Sequence, residues 1–301
     1  MASRKPGRLG VGVIGAGKVG AVLGAALRAA EHAVVGVSAV SEGSRDRADA
    51  LLPGVPILEI PDIVERAELV LLAVPDDALP ELVEGLAATG AWQQGQLVAH
   101  TSGRFGTGVL APARAKGALP LALHPAMTFT GMSLDLNRLP DCSFGVTADR
   151  AILPVAQALV VEMGAEPVVI EEADRPLYHA ALAHSSNYLV TLAAQSSELL
   201  SGIGVEEPSR MLGPLLRASL ENALVSGESA LTGPVARGDS GTVEAHARAL
   251  RERESGPEPG DIRAAYRELA KATAARAVTR GLLTEAQAKD INRALDLPGE
   301  E

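Results

Sequence analysis

Residues 15–20 read GAGKVG, between the apolar run LGVGVI and the small-residue stretch AVLGAALRAA. No other segment restricts the backbone as much. G-x-G-x-x-G between a strand and a helix places one glycine at a tight turn, Gly15. A second, Gly17, lets a pyrophosphate approach the chain, and a third, Gly20, lets helix and strand pack closely. Ala16, Lys18 and Val19 complete the turn, and the helix N-terminus favours negative charge. The motif in this setting implies a bound dinucleotide. The competing reading is a glycine-rich packing turn.

The second strand decides which dinucleotide. An acidic residue at its tip suits the ribose 2′-hydroxyl of NAD, and a basic or hydroxyl-rich tip suits a 2′-phosphate. The run VVGVSAVSEGSRDR (34–47) has no acid at the tip. Ser41, Ser44 and Arg45 follow, with Glu42 intruding, so NADP(H) is favoured over NAD(H). The competing reading makes these solvated loop residues. In LLAVPDDAL (71–79), Val74 and Pro75 are expected beneath the cofactor. Asp76 and Asp77 cap the next helix or bind a ribose.

Up to about Ile170, apolar runs alternate with Ala-rich helical stretches. Seven strands are expected, at 9–15, 33–40, 69–75, 96–102, 119–125, 143–147 and 167–170. Near-continuous apolar strands are covered on both faces, which implies a doubly wound, mostly parallel α/β sheet. Beyond Glu171 only helical patterns follow, at 174–201, 207–227, 240–253, 261–280 and 285–295, the last opened by a Thr284/Gln287 capping box. The expected organisation is a disordered tail (1–8), an α/β domain (9–171) and an all-α domain (172–301), with a charged Pro/Gly loop at 251–261.

A net charge of −10 argues against nucleic acid and anionic membranes as partners. No apolar run is long enough to span a bilayer. The glycines and Lys18 break what would otherwise pass for a signal peptide, so a cytoplasmic location is expected. The single cysteine, Cys142, excludes an internal disulfide and a cysteine-based zinc site, and is expected to be a small buried hydrophobe.

Six histidines occur in 301 residues. His124, in LHPAMTF (123–129), falls at a strand's C-terminal end, as does Ser102 in HTSG (100–103). Ligands of open α/β sheets bind beyond such ends. His124 is either a satisfied core ring or a proton donor titrating near its ordinary value of about 6.5. No metal site is expected, because no second ligand is suitably spaced. The helical stretch YHAALAHSSNYLV (178–190) adds His179, a rival donor, and Asn187. In LTGPVARGD (231–239), Arg237 offers a fork to a substrate carboxylate, with Thr232 beside it. The competing reading has Gly233–Pro234 stop one helix and Asp239 cap the next.

IGAGKVG, LLAVPDDAL, HTSG, LHPAMTF, YHAALAHSSNYLV and LTGPVARGD, in this order, resemble an oxidoreductase family that joins a Rossmann-like domain to a helical domain of long-unassigned function. The resemblance spans nearly the whole chain. It implies the fold of the 6-phosphogluconate dehydrogenase-like reductases, which usually form homodimers through the helical domain. It also implies an NAD(P)-dependent reductase of a small carboxylate. The favoured reaction is 2-dehydropantoate to pantoate, in pantothenate synthesis, as in an unconventional ketopantoate reductase class. His124 would donate the proton, and Ser102 and Asn187 would orient the oxygen. Alternatives are an imine reductase of the pyrroline-5-carboxylate type, a prephenate dehydrogenase-like enzyme and a non-catalytic NAD(P)-binding regulatory protein. Two departures stand out. The Lys-x-x-x-Asn of many relatives has Ala183 in place of lysine, and the arginine common at the second strand's end is absent near Val40.

Overall fold

The structure, a computed structural model, describes residues 8–254 and 260–296. It divides into two compact units, Met1–Asn187 and Tyr188–Glu301. The first unit holds seven strands: β1 (Gly10–Ile14), β2 (Ala33–Ser38), β3 (Leu69–Leu72), β4 (Leu97–His100), β5 (Leu119–Pro125), β6 (Ser143–Ala148) and β7 (Glu166–Val169). They form one sheet in the order β2-β1-β3-β4-β5-β6-β7. All neighbours run parallel except β5 and β6. A single parallel bridge, Val37 to Ile57, extends the β2 edge. The chain lays β2 on one side of β1 and then crosses to the other side as β3. The order therefore switches at β1, and a ligand crevice opens beyond its C-terminal end.

Each expected strand forms, most of them shortened at the ends. The run 69–75 stops at Leu72. Ala73 still donates to Ile14 O, but Pro75 has no N–H, and its carbonyl accepts from Ala78 and Leu79 as the chain turns into a helix. The unit's helices are α1 (Lys18–Ala29), α2 (Glu42–Leu51), α3 (Ile60–Arg66), α4 (Leu79–Ala88), α5 (Ala111–Arg114) and α6 (Leu153–Glu162). Residues 20–27 of α1 are all buried. Small side chains permit this close approach: a Cβ on Gly24 would lie 3.0 Å from Val13 Cγ2. Two cores flank the sheet, one around Val13, Leu121 and Phe144, the other around Ile14, Ile63 and Val98. Cys142 lies in the first core, and burial raises its thiol to about 11.

The remaining helices are α7 (Arg175–Gly202), α8 (Pro208–Ser226), α9 (Ser240–Arg253), α10 (Asp261–Thr279) and α11 (Glu285–Leu295). The expected domain boundary at 171/172 differs from the packing boundary, because the first 13 residues of α7 pack with the sheet unit. Asp174 ends a 3₁₀ turn, Glu172–Asp174, and Pro176 sits in the first turn of α7. Of the expected tail, residues 1–7 lie outside the described residues, while Arg8 pairs with Glu162. Of the expected loop at 251–261, residues 255–259 lie outside them. Val243, Ala274, Ile291 and Leu295 form the core of the second unit. α8 buries none of its 19 residues, and Leu224 and Val225 are 78% and 88% exposed. Among the described residues no helix is long and apolar enough to cross a membrane.

The capping box forms as expected. Thr284 Oγ1 accepts from Gln287 N (3.3 Å), and Gln287 Oε1 accepts from Thr284 N (2.9 Å). Thr284→Ala should therefore cost about 1 kcal/mol in urea denaturation, while Lys289→Ala on the same helix should leave the midpoint nearly unchanged.

Candidate active site

Beyond β1, the three glycines differ in what surrounds them. Gly15 has φ +97°, and a Cβ there would lie 2.5 Å from Ala73 O. A Cβ on Gly20 would lie 2.1 Å from Gly15 O. Gly17 faces open space, with nothing within 4 Å of such a Cβ, and it is the N-cap of α1 with no side-chain cap. Its neighbours Lys18 and Val19 begin the helix. An open glycine before an uncapped N-terminus fits a pyrophosphate. Ser38, at the end of β2, clamps the turn: its Oγ accepts from Gly15 N and its carbonyl from Ala16 N, each at 2.8 Å.

The tip of β2 is used differently from the expectation. Ser41 caps α2 by accepting from Ser44 N, and the buried Ser44 donates its hydroxyl to Ser41 O at 2.7 Å. Both hydroxyls thus take part in capping, and Arg45 is exposed on α2. The arginine against the glycine turn is Arg47, whose Nε donates to Ala16 O at 3.3 Å. Gly131 closes over the same corner, its Cα facing Arg47 and Lys18. A fully buried carboxylate, Asp135, holds that loop by accepting from Thr130 N and Gly131 N, each at 2.8 Å. Burial acts to raise the Asp135 pKa, but these bonds outweigh it and lower it.

At β3, Val74 is half-buried and Pro75 exposed. The N-cap of α4 is Ala78, without a side-chain bond, so neither Asp76 nor Asp77 caps it. The Asp76 charge is instead felt by His100 and His124.

His100 ends β4 fully buried. Its Nε2 donates to Gly106 O (2.8 Å), and its Nδ1 accepts from Ser102 N (3.2 Å). Ser102 is buried, and its Oγ accepts from Phe105 N, which closes the 102–105 turn. The carboxylate of Glu172 holds the next turn by accepting from Thr107 N and Gly108 N at 2.7 and 2.9 Å.

His124 lies near the end of β5 and lines a cavity of about 310 Å³ with Met127, His179, Ala183, Ser186 and Asn187. The structure thus brings together three of the four expected catalytic residues. Ala183 and Asn187, four apart on α7, both reach this cavity, so the missing lysine leaves space beside His124. Gly103 adds a constraint: a Cβ there would lie 2.9 Å from His124 Nε2 and 2.6 Å from His179 Cδ2. Glycine is therefore required where the chain at 103 packs against both rings, and among the described residues no hydrogen bond from the protein is seen at His124 Nε2. On its other side, His124 Nδ1 is 2.8 Å from Tyr178 Oη.

Beneath this pair lies Arg175, with no exposed surface. Its Nε donates to Thr147 Oγ1 (2.8 Å), and its Nη2 donates to Ala122 O (3.1 Å) and Gly145 O (2.9 Å). Burial and the Arg175 charge depress both His124 and His100 to about 4. The expectation that His124 titrates near its ordinary value is therefore corrected: at neutral pH the ring is uncharged. It can donate only its N–H proton.

Thr232 and Arg237 belong to the second unit. Thr232 lines a cavity of about 360 Å³ there with Gln195, His246 and Tyr266. Arg237 is exposed, and Asp239 caps α9 by accepting from Thr242 N, as the competing reading of this segment held. Among the described residues no cluster of three His, Cys, Asp or Glu is suited to hold a metal. Ser38, Arg47, Gly103, Arg175 and Tyr178 were not singled out from sequence. Tyr178 had one signal, as one of only three tyrosines in a motif already noted.

Residues 1–125 match the Rossmann-like domain, and residues 142–273 match a domain of unknown function, DUF2520. The two matched regions together cover most of the chain. No curated protein matches it. Among solved structures, the chain is similar to a candidate NADP oxidoreductase, BF3122 of Bacteroides fragilis. Identity is 20%, with 89% of this chain and 99% of the other covered, at a TM-score of 0.73. It is also similar to a reductive aminase of Aspergillus terreus in complex with NADPH and ethyl-5-oxohexanoate (17% identity, 95% and 99% covered, TM-score 0.67). A third is the pyrroline carboxylate reductase of Plasmodium falciparum with NADP bound (11%, 95% and 98%, TM-score 0.53). At these identities the likeness concerns the fold alone.

The depressed histidines have a measurable consequence. The unfolded chain binds protons at its histidines near pH 6.5, whereas the folded chain binds them at His100 and His124 only near 4. Between these values the unfolded state holds more protons, so the fold weakens as pH falls through this window. The His124 ring resonances should titrate with a midpoint near 4 by NMR, and the urea midpoint should be lower at pH 5 than at pH 7.

Proposed function

We propose that the protein is an NADP(H)-dependent reductase of a small 2-oxo acid. The observation that carries this is His124, with Nε2 free of protein hydrogen bonds among the described residues, lining a cavity with Asn187 on the row of strand ends that also bears the glycine turn. β5 lies three strands from β1, roughly 14 Å at about 4.8 Å per strand. A dinucleotide with its pyrophosphate at Gly17 directs its other half along that row. When bound, the reduced nicotinamide supplies a hydride to the substrate carbon. Gly15, Gly17 and Gly20 shape the cofactor turn, and Arg47 and Lys18 provide positive charge at its rim. The 2′-phosphate assignment to NADP draws on these cations and on the NADP-bound neighbours.

His124 donates its Nε2 proton to the substrate oxygen, and Asn187, on the same cavity wall, orients that oxygen. Ser102 shapes the turn that carries Gly103. His179 lines the same cavity as the second imidazole. Arg237 and Thr232, which belong to the second unit, stay carboxylate candidates on the sequence reading alone. The substrate we favour is 2-dehydropantoate, as the resemblance implies. A second reading, reduction of a cyclic imine, is favoured by the reductive aminase and pyrroline carboxylate reductase among the structural neighbours. A protonated imine needs no further proton when hydride arrives, whereas a carbonyl does. The donor at His124 therefore supports the oxo acid.

Purified protein should oxidise NADPH with 2-dehydropantoate and more slowly with pyrroline-5-carboxylate. His124→Ala should lower kcat by roughly 10²-fold or more. Unchanged turnover in that variant would remove His124 from the mechanism. The reverse order of substrates would establish the imine reading.

We also propose a homodimer through the helical domain. A helix gains most of its stability from a packed face, yet α8 buries nothing within one chain, with Met211, Leu215, Leu224 and Val225 all exposed. A second copy is the partner the resemblance implies. Sedimentation should give a dimer of about 62 kDa, twice the 30.9 kDa chain. Leu224→Glu with Val225→Glu should shift it to monomer, and a wild-type monomer at micromolar concentration would refute the arrangement.

A further inference from the structure

Tyr178, behind His124, has no part in the proposed reduction, yet any catalytic contribution from it rests on that reduction being the protein's reaction. Its Oη lies 2.8 Å from His124 Nδ1, with the two rings edge-to-face at 88°. A phenol is a better donor than a neutral imidazole N–H, and an imidazole nitrogen is a better acceptor than a phenol oxygen. The shared hydrogen therefore belongs to Oη, and the ring's own hydrogen belongs to Nε2. Nε2 is the ring nitrogen without a hydrogen bond from the protein among the described residues, and the ring lines the cavity that holds Asn187.

A second glycine makes the contact feasible. Gly145 is the register partner of His124 across β5 and β6. A Cβ on Gly145 would lie 2.6 Å from both Cζ and Oη of Tyr178. Only glycine there lets the phenol lie over β6 and reach Nδ1. The Gly145 backbone N–H also faces Oη, and the Arg175 guanidinium carbon is 5.7 Å from the Tyr178 ring centre. Both favour a negative oxygen, although burial, the larger effect, holds the phenol protonated at rest.

We propose that Tyr178 is a positioning residue that holds His124 as its Nε2–H tautomer and replaces the proton His124 gives to substrate. As the reduced carbonyl oxygen gains an O–H bond, the Nε2–H bond breaks. As Nδ1 gains an N–H bond, the Tyr178 O–H bond breaks. After turnover Nε2 takes a proton from water in the cavity, and Nδ1 returns its proton to the phenolate, which restores both the Nε2–H tautomer and the phenol. No electrons move in these steps, because the reduced dinucleotide has already supplied the hydride. The ring never becomes a cation. This matches its surroundings: Arg175, His179 and His100 disfavour charge on His124, and only Asp76 favours it.

The test uses the full chain with ¹⁵N-labelled histidine. In the cofactor-free protein, long-range ¹H–¹⁵N spectra should show His124 Nε2 as protonated and Nδ1 as a hydrogen-bonded acceptor at pH 7. In Tyr178→Phe, which keeps the ring and loses the hydroxyl, Nδ1 should move toward a free acceptor or the tautomers should mix. Unchanged shifts overturn the proposal. With NADPH and the oxo acid, Tyr178→Phe should lower kcat about 10- to 100-fold with KM within twofold, and should not further impair His124→Ala. An additive loss in the double variant overturns the relay. If Tyr178→Phe does not fold, 3-fluorotyrosine incorporation should shift His124 Nδ1 through a more acidic phenol, and no shift overturns the proposal. If wild type reduces no oxo acid or imine while the shifts behave as expected, the reductase reading falls and the relay with it.

Discussion

The site depends on one buried cation. Arg175 has no exposed surface, and its three observed hydrogen bonds reach Thr147 Oγ1, Ala122 O and Gly145 O. A charge so placed is costly, and Nη1 is buried without a partner, so the three bonds that do form hold the chain that carries it in place. That chain is the first turn of α7. Tyr178 lies three residues on, and His179, Ala183 and Asn187 follow at helical spacing. Securing Arg175 to β5 and β6 therefore places these residues at the strand ends. It also sets the local electrostatics, because the same charge adds to burial in depressing His100 and His124. Position and protonation have one source.

Histidine chemistry then follows a neutral route. His100 is committed on both nitrogens, to Gly106 O and Ser102 N, and serves as a brace for the turn that carries Gly103. His124 has one nitrogen on Tyr178 and, among the described residues, the other without a hydrogen bond from the protein, on a ring that lines the cavity. The fully buried His100 and the half-buried His124 thus differ in whether a hydrogen bond from the protein occupies the second nitrogen.

The sequence revealed what local chemistry determines. The glycine turn, the seven strands and the Thr284/Gln287 box each depend on neighbours within a few residues, and each formed. His124 was placed correctly because strand ends are readable from apolar runs. Its protonation was not, because that depends first on burial and then on the charge of Arg175, 51 residues away in the chain. Ser41 and Ser44 were read from the sequence as phosphate-suited hydroxyls, and the structure shows them forming the N-cap of α2. Tyr178 escaped notice since its partner is 54 residues away and its path is opened by Gly145, a glycine that looks ordinary within a strand.

The missing lysine can now be understood physically. A lysine at position 183 would bring a cation into a cavity lined by two imidazoles, with the buried Arg175 guanidinium near enough to act on His124. Like charges at that distance in a partly desolvated site would depress the ammonium and drive it to neutrality. An alanine avoids this conflict and leaves volume for substrate. The proton must then come from a group whose donor form is uncharged. An imidazole N–H backed by a phenol meets that condition, and it does so only while glycine occupies both 103 and 145. Loss of the lysine, the buried arginine and the two glycines are thus parts of one arrangement.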